Sequence, residues 1–327
     1  MNGTASDLPP ESPYALSVVV PVYNEADGIL SFHRRLFTVV NDLQLAFEVI
    51  YVDDGSRDRS FEILKQLHAA DSRVSVVRFS RNFGREQALT AGLRAAQGEA
   101  VVIIEANLRQ PPEVIPGMLQ AWRSGGVDLI NMRPRSRREE SWSKRATSRT
   151  LDDVIKRLSG VPIPIDVGDF RLLSRRAVDA VNRLEERNRC MNGLFAWIGF
   201  RQTTLDYDVD ERFADQNKRQ FRQAWKFAIE ELIAFSTIPL KLASYVGMVG
   251  ALLAFVYGIF FVLKALFLGD PSHGFPTLVV TMLLIGGLQL MVTSIVGWYL
   301  SGLCIENKRR PLYLIEEYVP ATQGGAR

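Results

Sequence analysis

LSVVVPVYNE at 16–25, answered at 47–56 by FEVIYVDDGS, decides the fold. Each is a short apolar, β-branched run that ends abruptly in carboxylate and amide side chains, which reads as a strand delivering polar groups to its carboxyl end. Three more runs of this kind follow, at Val74 to Phe79, Ala100 to Glu105 and Asp128 to Met132. The segments between them, such as Glu25 to Leu43 and Asp58 to Ala70, carry apolar residues at helical spacing. Strand and helix in alternation predict an α/β domain with a mostly parallel sheet. In such sheets ligands sit outside the carboxyl ends of the strands, so the residues that follow each strand are where chemistry belongs.

Beyond this pattern the character of the chain changes. Residues 242–268 read LASYVGMVGALLAFVYGIFFVLKALFL with Lys264 as the sole charge, and 275–304 carry none. Each exceeds the roughly 20 apolar residues that span a bilayer, so a transmembrane hairpin is expected, and a pair of buried core helices is the poorer reading. The linker 269–274 has no Lys or Arg, whereas Lys241 precedes the first run and Lys308, Arg309 and Arg310 follow the second. The positive-inside rule then puts both termini in the cytoplasm. The expected organisation is a tail at 1–14, an α/β domain at 15–219, an interfacial helix or linker at 220–241, spans at 242–268 and 275–304, and a cytoplasmic tail at 305–327. Within 220–235, Phe221, Trp225, Ile229, Leu232 and Ile233 recur with Arg222 and Lys226, which suits a helix lying on a bilayer and a core-packing helix equally.

Composition removes several classes of function. The 327 residues are 47% apolar and 23% charged with a net charge of +3, too small an excess for a nucleic-acid binder. Cys190 and Cys304 lie far apart, which supports neither a disulfide framework nor a zinc site and fits a reducing compartment. Met1 to Tyr14 is polar with two adjacent prolines and lacks the pattern of a secretory signal. No GxGxxG follows the first strand and no GxxxxGK[ST] occurs, so neither common nucleotide fingerprint applies. His33, His68 and His273 are not spaced for a Ser-His-Asp triad.

Asp53 and Asp54, at the end of the second strand, can accept hydrogen bonds from a nucleobase N–H or from ribose hydroxyls. The bland alternative is turn chemistry, with Asp-Gly-Ser as a turn and Ser56 or Asp58 as a helix cap. In order, however, VVVPVYNE, VDDGS, FSRNFGREQALTAGL and an acidic cluster before PPE resemble the family 2 glycosyltransferases, in the subgroup that glycosylates polyprenyl phosphates such as dolichyl or undecaprenyl phosphate. The resemblance continues through Gly168-Asp169-Phe170-Arg171-Leu172, the ERNR run at 186–189, GLFAW at 193–197 and Phe235-Ser236-Thr237, and ends in the apolar hairpin.

That resemblance implies a GT-A domain that takes a sugar from a nucleotide diphosphate, with UDP favoured, and passes it with inversion to polyprenyl phosphate. It implies a multi-pass protein of a bacterial inner membrane with its catalytic domain in the cytoplasm. Its partners would be the nucleotide sugar and the lipid and no nucleic acid, with a homo-oligomer open to it through Gly247, Gly250, Gly286 and Gly287. By similarity Pro21, Tyr23, Glu25 and Asp54 line the nucleotide pocket. Arg133, Lys144 and Ser148 stand near the acceptor phosphate, within a basic stretch that could also grip anionic headgroups. Asp169 takes the position of the candidate base with Arg171 beside it as the second catalytic candidate, and Arg212 with Lys218 matches a basic loop that clamps the diphosphate.

The chain departs from the family where a metal is expected. The family pattern is Asp-Ala-Asp-Leu-Gln before Pro-Pro-Glu, holding Mg²⁺ or Mn²⁺ against the diphosphate, whereas this chain has Glu105-Ala106-Asn107-Leu108-Arg109. The formal charge of the cluster goes from minus two to zero. Three readings are open: Glu105 and Asn107 bind metal with reduced affinity; Arg109 supplies part of the metal's charge, giving metal independence; or donor chemistry is impaired and the chain is a sugar-nucleotide-binding or partner-interacting member. Retained activity is the leading reading because the other site groups are present. Leu151-Asp152-Asp153 replaces a Phe-Tyr-Arg arrangement, and Asp215 and Asn217 replace the Gly and Ser of the basic loop.

Overall fold

The structure, a computed structural model, describes residues 13–107, 109–135, 168–187, 189–208 and 275–321, together with 247–249, 256–257 and 260. These fall into two compact units. The first takes in the described residues up to Asp208 and those from Arg310 onward, and the second takes in the described residues between 247 and 309.

The first unit is a single eight-stranded sheet with its helices. In chain order it contains β1 (Leu16–Val22), α1 (Ile29–Asp42), β2 (Phe47–Asp53), α2 (Ser60–Ala70), β3 (Val74–Phe79), α3 (Arg85–Ala95) and β4 (Ala100–Ile103). A 3₁₀ turn at Pro112–Val114 leads into α4 (Ile115–Arg123) and β5 (Leu129–Pro134). Then come β6 (Arg171–Ser174), α5 (Arg175–Arg183), α6 (Met191–Trp197), β7 (Gln202–Tyr207) and, after the second unit, β8 (Ile315–Val319). The strand order is β7-β5-β6-β4-β1-β2-β3-β8. β1 pairs in parallel with β2 and β4, β2 with β3, and β5 with β7, whereas β6 runs antiparallel to β4 and β5 and β8 runs antiparallel to β3.

The expected α/β architecture is therefore present, and all five expected strands appear within two residues of their expected ends. Strand β1 is apolar almost throughout because both of its faces are covered: Leu16, Val18 and Val20 enter the main apolar core with α1, while Val19 is buried beneath α3. Strand β2 carries two buried acids, Glu48 near its start and Asp53 at its end. The Glu48 carboxylate accepts from Ser17 Oγ at 2.6 Å and from the Gln97 N–H at 2.7 Å. Burial nevertheless raises its pKa.

Three strands have no counterpart in the sequence expectation. β8 lies in the stretch read as a cytoplasmic tail, yet Val76, Val77 and Arg78 pair with Val319, Tyr318 and Glu317. Lys65 and Arg78 meet Glu317 and Glu316 at 2.8 and 3.3 Å, Phe79 stacks on Tyr313 at 4.8 Å, and the Ala321 N–H donates to Ser75 Oγ at 2.8 Å. The strand covers the edge that β3 would otherwise expose.

The second unit contains α7 (Phe275–Asn307), a helix of 33 residues. Among its described side chains Met282 and Leu290 are about seven-tenths exposed. The expected first span, 242–268, lies outside the described residues except for six positions, and 220–241 lies wholly outside them. Among the described residues no helix is long and apolar enough to cross a membrane. The expected hairpin is thus not found among them.

Helix α3 is seated tightly on the sheet. A Cβ on Gly92 would collide with Val19 Cγ1 on β1 and approach Val52 Cγ2 on β2 to 3.3 Å. Replacing Gly92 with Ala would normally favour a helix by about 1 kcal/mol, but here overpacking outweighs that gain. Gly92→Ala is expected to destabilise the protein by about 1–2 kcal/mol net, read as a lower denaturation midpoint.

Candidate active site

Two turns at the carboxyl ends of β1 and β2 are sewn to each other. Asn24 adopts a left-handed φ of 55°, which Asn tolerates better than most residues. Its backbone N–H donates to Ser56 Oγ at 3.0 Å, and its Oδ1 accepts from the Arg57 N–H at 2.9 Å. The Glu25 N–H donates to Ser60 Oγ at 3.0 Å and the Ala26 N–H to Asp58 Oδ2 at 3.1 Å. Ser56 and Asp58 therefore do perform turn chemistry, but across two loops. Tyr23 is left 42% exposed.

Asp53 and Asp54 divide the labour. Asp53 is fully buried and accepts from the Ser56 N–H at 3.2 Å, with Arg78 Nε 3.7 Å from its other oxygen. The Asp54 carboxylate accepts from the backbone N–H of Phe83 at 2.7 Å and of Gly84 at 3.0 Å. It thereby fixes the loop between β3 and α3. Burial raises the pKa of Asp54 while the two N–H donors oppose the rise. Gly55, at a φ of 65°, lets the turn lie against this loop, since a Cβ there would strike the backbone of Arg81.

The loop ends at Arg85, the first residue of α3. Its Nη2 contacts both Glu105 Oε1, beyond the end of β4, and Asp169 Oδ2. Asp169 is only 6% exposed, and its Oδ1 is buried without a hydrogen-bond partner among the described residues. Glu105 is held further: its N–H donates to Gln110 Oε1 at 2.9 Å, and its second carboxylate oxygen accepts from the Asn107 amide. Asn107 Oδ1 in turn accepts from the Arg109 N–H at 3.1 Å.

Asp54, Arg85, Glu105 and Asn107 line a cleft of about 310 Å³ together with Pro21, Tyr23 and Glu25, whereas Asp169 stands behind Arg85 and is not part of the lining. Six of those seven were expected at the site; Arg85 was not. The Glu25 carboxyl is pushed above its ordinary range by burial, then by Glu105 and Asp58, with Arg109 opposing. Arg109 contributes through its backbone N–H and through this charge, but its side chain does not line the cleft.

The other expected residues are placed differently. Arg171 is buried, with Nη2 donating to the Gly168 carbonyl at 2.8 Å and to Asn192 Oδ1, and its guanidinium lies 4.4 Å from the Phe195 ring centre. Burial pulls its pKa down to about 10. It supports the backbone that carries Asp169 and does not line the cleft. Arg133 donates to Asp206 Oδ1 at 2.8 Å, a pair between β5 and β7. Lys144, Ser148, Arg212 and Lys218 lie outside the described residues.

A divalent cation at Glu105 and Asn107 does not fit this arrangement. Both Glu105 oxygens are engaged, one by a guanidinium, and the Asn107 oxygen faces an N–H. Among the described residues no three His, Cys, Asp or Glu side chains are grouped to hold a metal.

The family model described as glycosyl transferase family 2 matches residues 17–181. An uncharacterised glycosyltransferase of Synechocystis sp., sll0501, is 40% identical over 310 residues, covering 93% of this chain and 97% of its own. The uncharacterised glycosyltransferase YkcC of Bacillus subtilis is 38% identical, covering 92% and 93%. A prophage bactoprenol glucosyl transferase homolog of Escherichia coli is 35% identical over 301 residues, covering 92% and 98%.

Asp54→Ala is expected to cost about 2–4 kcal/mol of stability, because two backbone N–H groups lose one acceptor. Asp54→Asn keeps an acceptor oxygen and should lose less. Thermal unfolding of the two variants checks the order, and equal losses would contradict the loop-holding role.

Proposed function

The chain belongs to glycosyl transferase family 2, and from that premise we propose that it moves a sugar from a nucleoside diphosphate, UDP in the favoured case, to a polyprenyl phosphate, with inversion. The observation that carries this reading is the extent of the match to the bactoprenol glucosyl transferase homolog, 92% of this chain and 98% of the relative. So long an alignment takes in the cleft and most of the chain beyond it.

The chemistry follows from the groups at the strand ends. Tyr23 and Glu25 form the nucleotide side of the cleft, and Asp54 keeps the opposite loop in place. A phosphate monoester has a second pKa near roughly 6, so the acceptor is largely dianionic at neutral pH and needs little help losing a proton. One acceptor oxygen attacks the anomeric carbon, the bond from that carbon to the diphosphate breaks, and the electron pair leaves on the diphosphate. Attack from the face opposite the leaving group inverts the centre. Asp169, held by Arg85 through one oxygen and without a hydrogen-bond partner at the other among the described residues, orients the incoming acceptor. Arg133, Lys144 and Ser148 are the candidates to receive its phosphate, and Arg212 with Lys218 the candidates to pair with the donor diphosphate.

The acceptor's tail requires a bilayer. Residues 275–304 contain no Asp, Glu, Lys or Arg and lie in a helix of 33 residues, about 50 Å long at 1.5 Å per residue. With 242–268 they form the membrane anchor of this reading, which keeps the catalytic unit at the cytoplasmic face of the inner membrane.

Purified full-length protein in detergent, given undecaprenyl phosphate and a panel of UDP- and GDP-sugars, is expected to form a glycosyl-phosphate lipid detectable by mass. Absence of such a lipid with every donor, with and without Mn²⁺, would contradict the proposal.

A further inference from the structure

We infer that Arg85 is the cation this cleft presents to the donor's diphosphate, standing between Glu105 and Asp169 where the family pattern leads one to expect a divalent metal. The inference rests on the transferase reading and adds a residue to it.

A count of charges motivates it. Glu25, Asp54 and Glu105 line the cleft, and Arg85 is the basic side chain among the described lining residues. A diphosphate entering beside three carboxylates needs positive charge, because like charges at short range in a partly buried site repel strongly. The usual source would be a metal on the acidic cluster. Here Glu105 is occupied by Arg85 and by the Asn107 amide, and Asn107 Oδ1 is occupied by a backbone N–H.

Geometry also suits Arg85 to the task. A guanidinium carries five N–H donors in a planar fork, and both carboxylate contacts are made through Nη2. The side chain is 45% exposed, so part of the fork faces open space while the rest is anchored. Its position is set from behind, because Asp54 fixes Phe83 and Gly84 immediately before it and Gly92 lets α3 sit close on the sheet. When the bond to the anomeric carbon breaks, negative charge grows on the departing phosphate oxygen. A charge held ready at that point stabilises the transition state more than the ground state. The same guanidinium touches Asp169, so donor and acceptor sides meet at one residue.

The test uses the full-length protein in detergent with three probes: UDP, uridine and Mn²⁺. In EDTA, Arg85→Gln is expected to weaken UDP binding by roughly ten- to a hundredfold, as measured calorimetrically, with uridine affinity unchanged. Arg85→Lys keeps charge without the fork and should restore part of the loss. Free Mn²⁺ measured by electron paramagnetic resonance should stay largely unbound with the wild type and bind more to Arg85→Gln, where Glu105 and Asp169 have lost the cation between them. If UDP binds Arg85→Gln as tightly as wild type in EDTA, the inference is wrong. Should that variant fail to fold, tight Mn²⁺ binding by the wild type overturns the inference equally, and weak binding supports it. Lipid product formed by the wild type is scored separately: product with no role for Arg85 removes this inference alone, whereas a UDP-binding role for Arg85 with no product under any condition removes the transferase reading.

Discussion

A carboxylate taken out of water must be given donors or a counter-charge, and the first unit is organised around that demand. Glu48 is met by Ser17 and the Gln97 N–H, Asp53 by the Ser56 N–H, Asp54 by the N–H groups of Phe83 and Gly84, and Asp169 by Arg85. All but the Asp53 pairing, which closes its own turn, tie a strand end to a different segment. Asp54 matters most among them, because its partners lie in the loop that starts α3 and so determine where Arg85 stands. Through Arg85 the arrangement reaches Glu105 beyond β4 and Asp169 before β6. The cleft and its supports are therefore one connected set of contacts drawn from the ends of β1, β2, β3, β4 and β6.

This connectivity gives the unusual Glu-Ala-Asn cluster a physical account. Changing the second acid of the pattern to Asn removes one negative charge and introduces an amide N–H, which turns onto Glu105. Glu105 is then satisfied internally, by one amide and one guanidinium. On the inference drawn for Arg85, the positive charge that a metal would bring to the diphosphate comes instead from the chain itself, so the departure from the family pattern is compatible with a working cleft.

Much of this was legible in the sequence, for identifiable reasons. Strands β1 to β5 are mainly apolar runs, and the polar residues that follow β1, β2 and β4 line the cleft. β6 escaped because it is only four residues long and opens on the buried Arg171, and β7 because QTTLDY is polar and partly exposed. β8 escaped for a topological reason: its partner β3 lies more than two hundred residues away, as the Ala321 to Ser75 contact at a separation of 246 illustrates, and local pattern carries no trace of such pairing. The cleft residues Pro21, Tyr23, Glu25, Asp54, Glu105 and Asn107 were readable as candidates. The task of Asp54 was not, since DDGS fits both a ligand-facing acid and a loop anchor. Arg85 was hidden for a related reason, because its meaning depends on Glu105 and Asp169, which only folding brings to it. The FGRE sequence, a glycine before a helix that begins with a cation, was the one local hint.

The central claim is that the diphosphate meets Arg85 in a site whose acidic cluster is already satisfied. The most direct measurement is an experimental structure of the full-length protein with UDP, obtained in the presence of Mn²⁺, and the distances from the diphosphate oxygens to their nearest neighbours. The account predicts a phosphate oxygen within hydrogen-bond distance of the Arg85 guanidinium, with Glu105 still paired to Asn107. A diphosphate held on Mn²⁺ by Glu105 and Asn107, with Arg85 turned away, would contradict it.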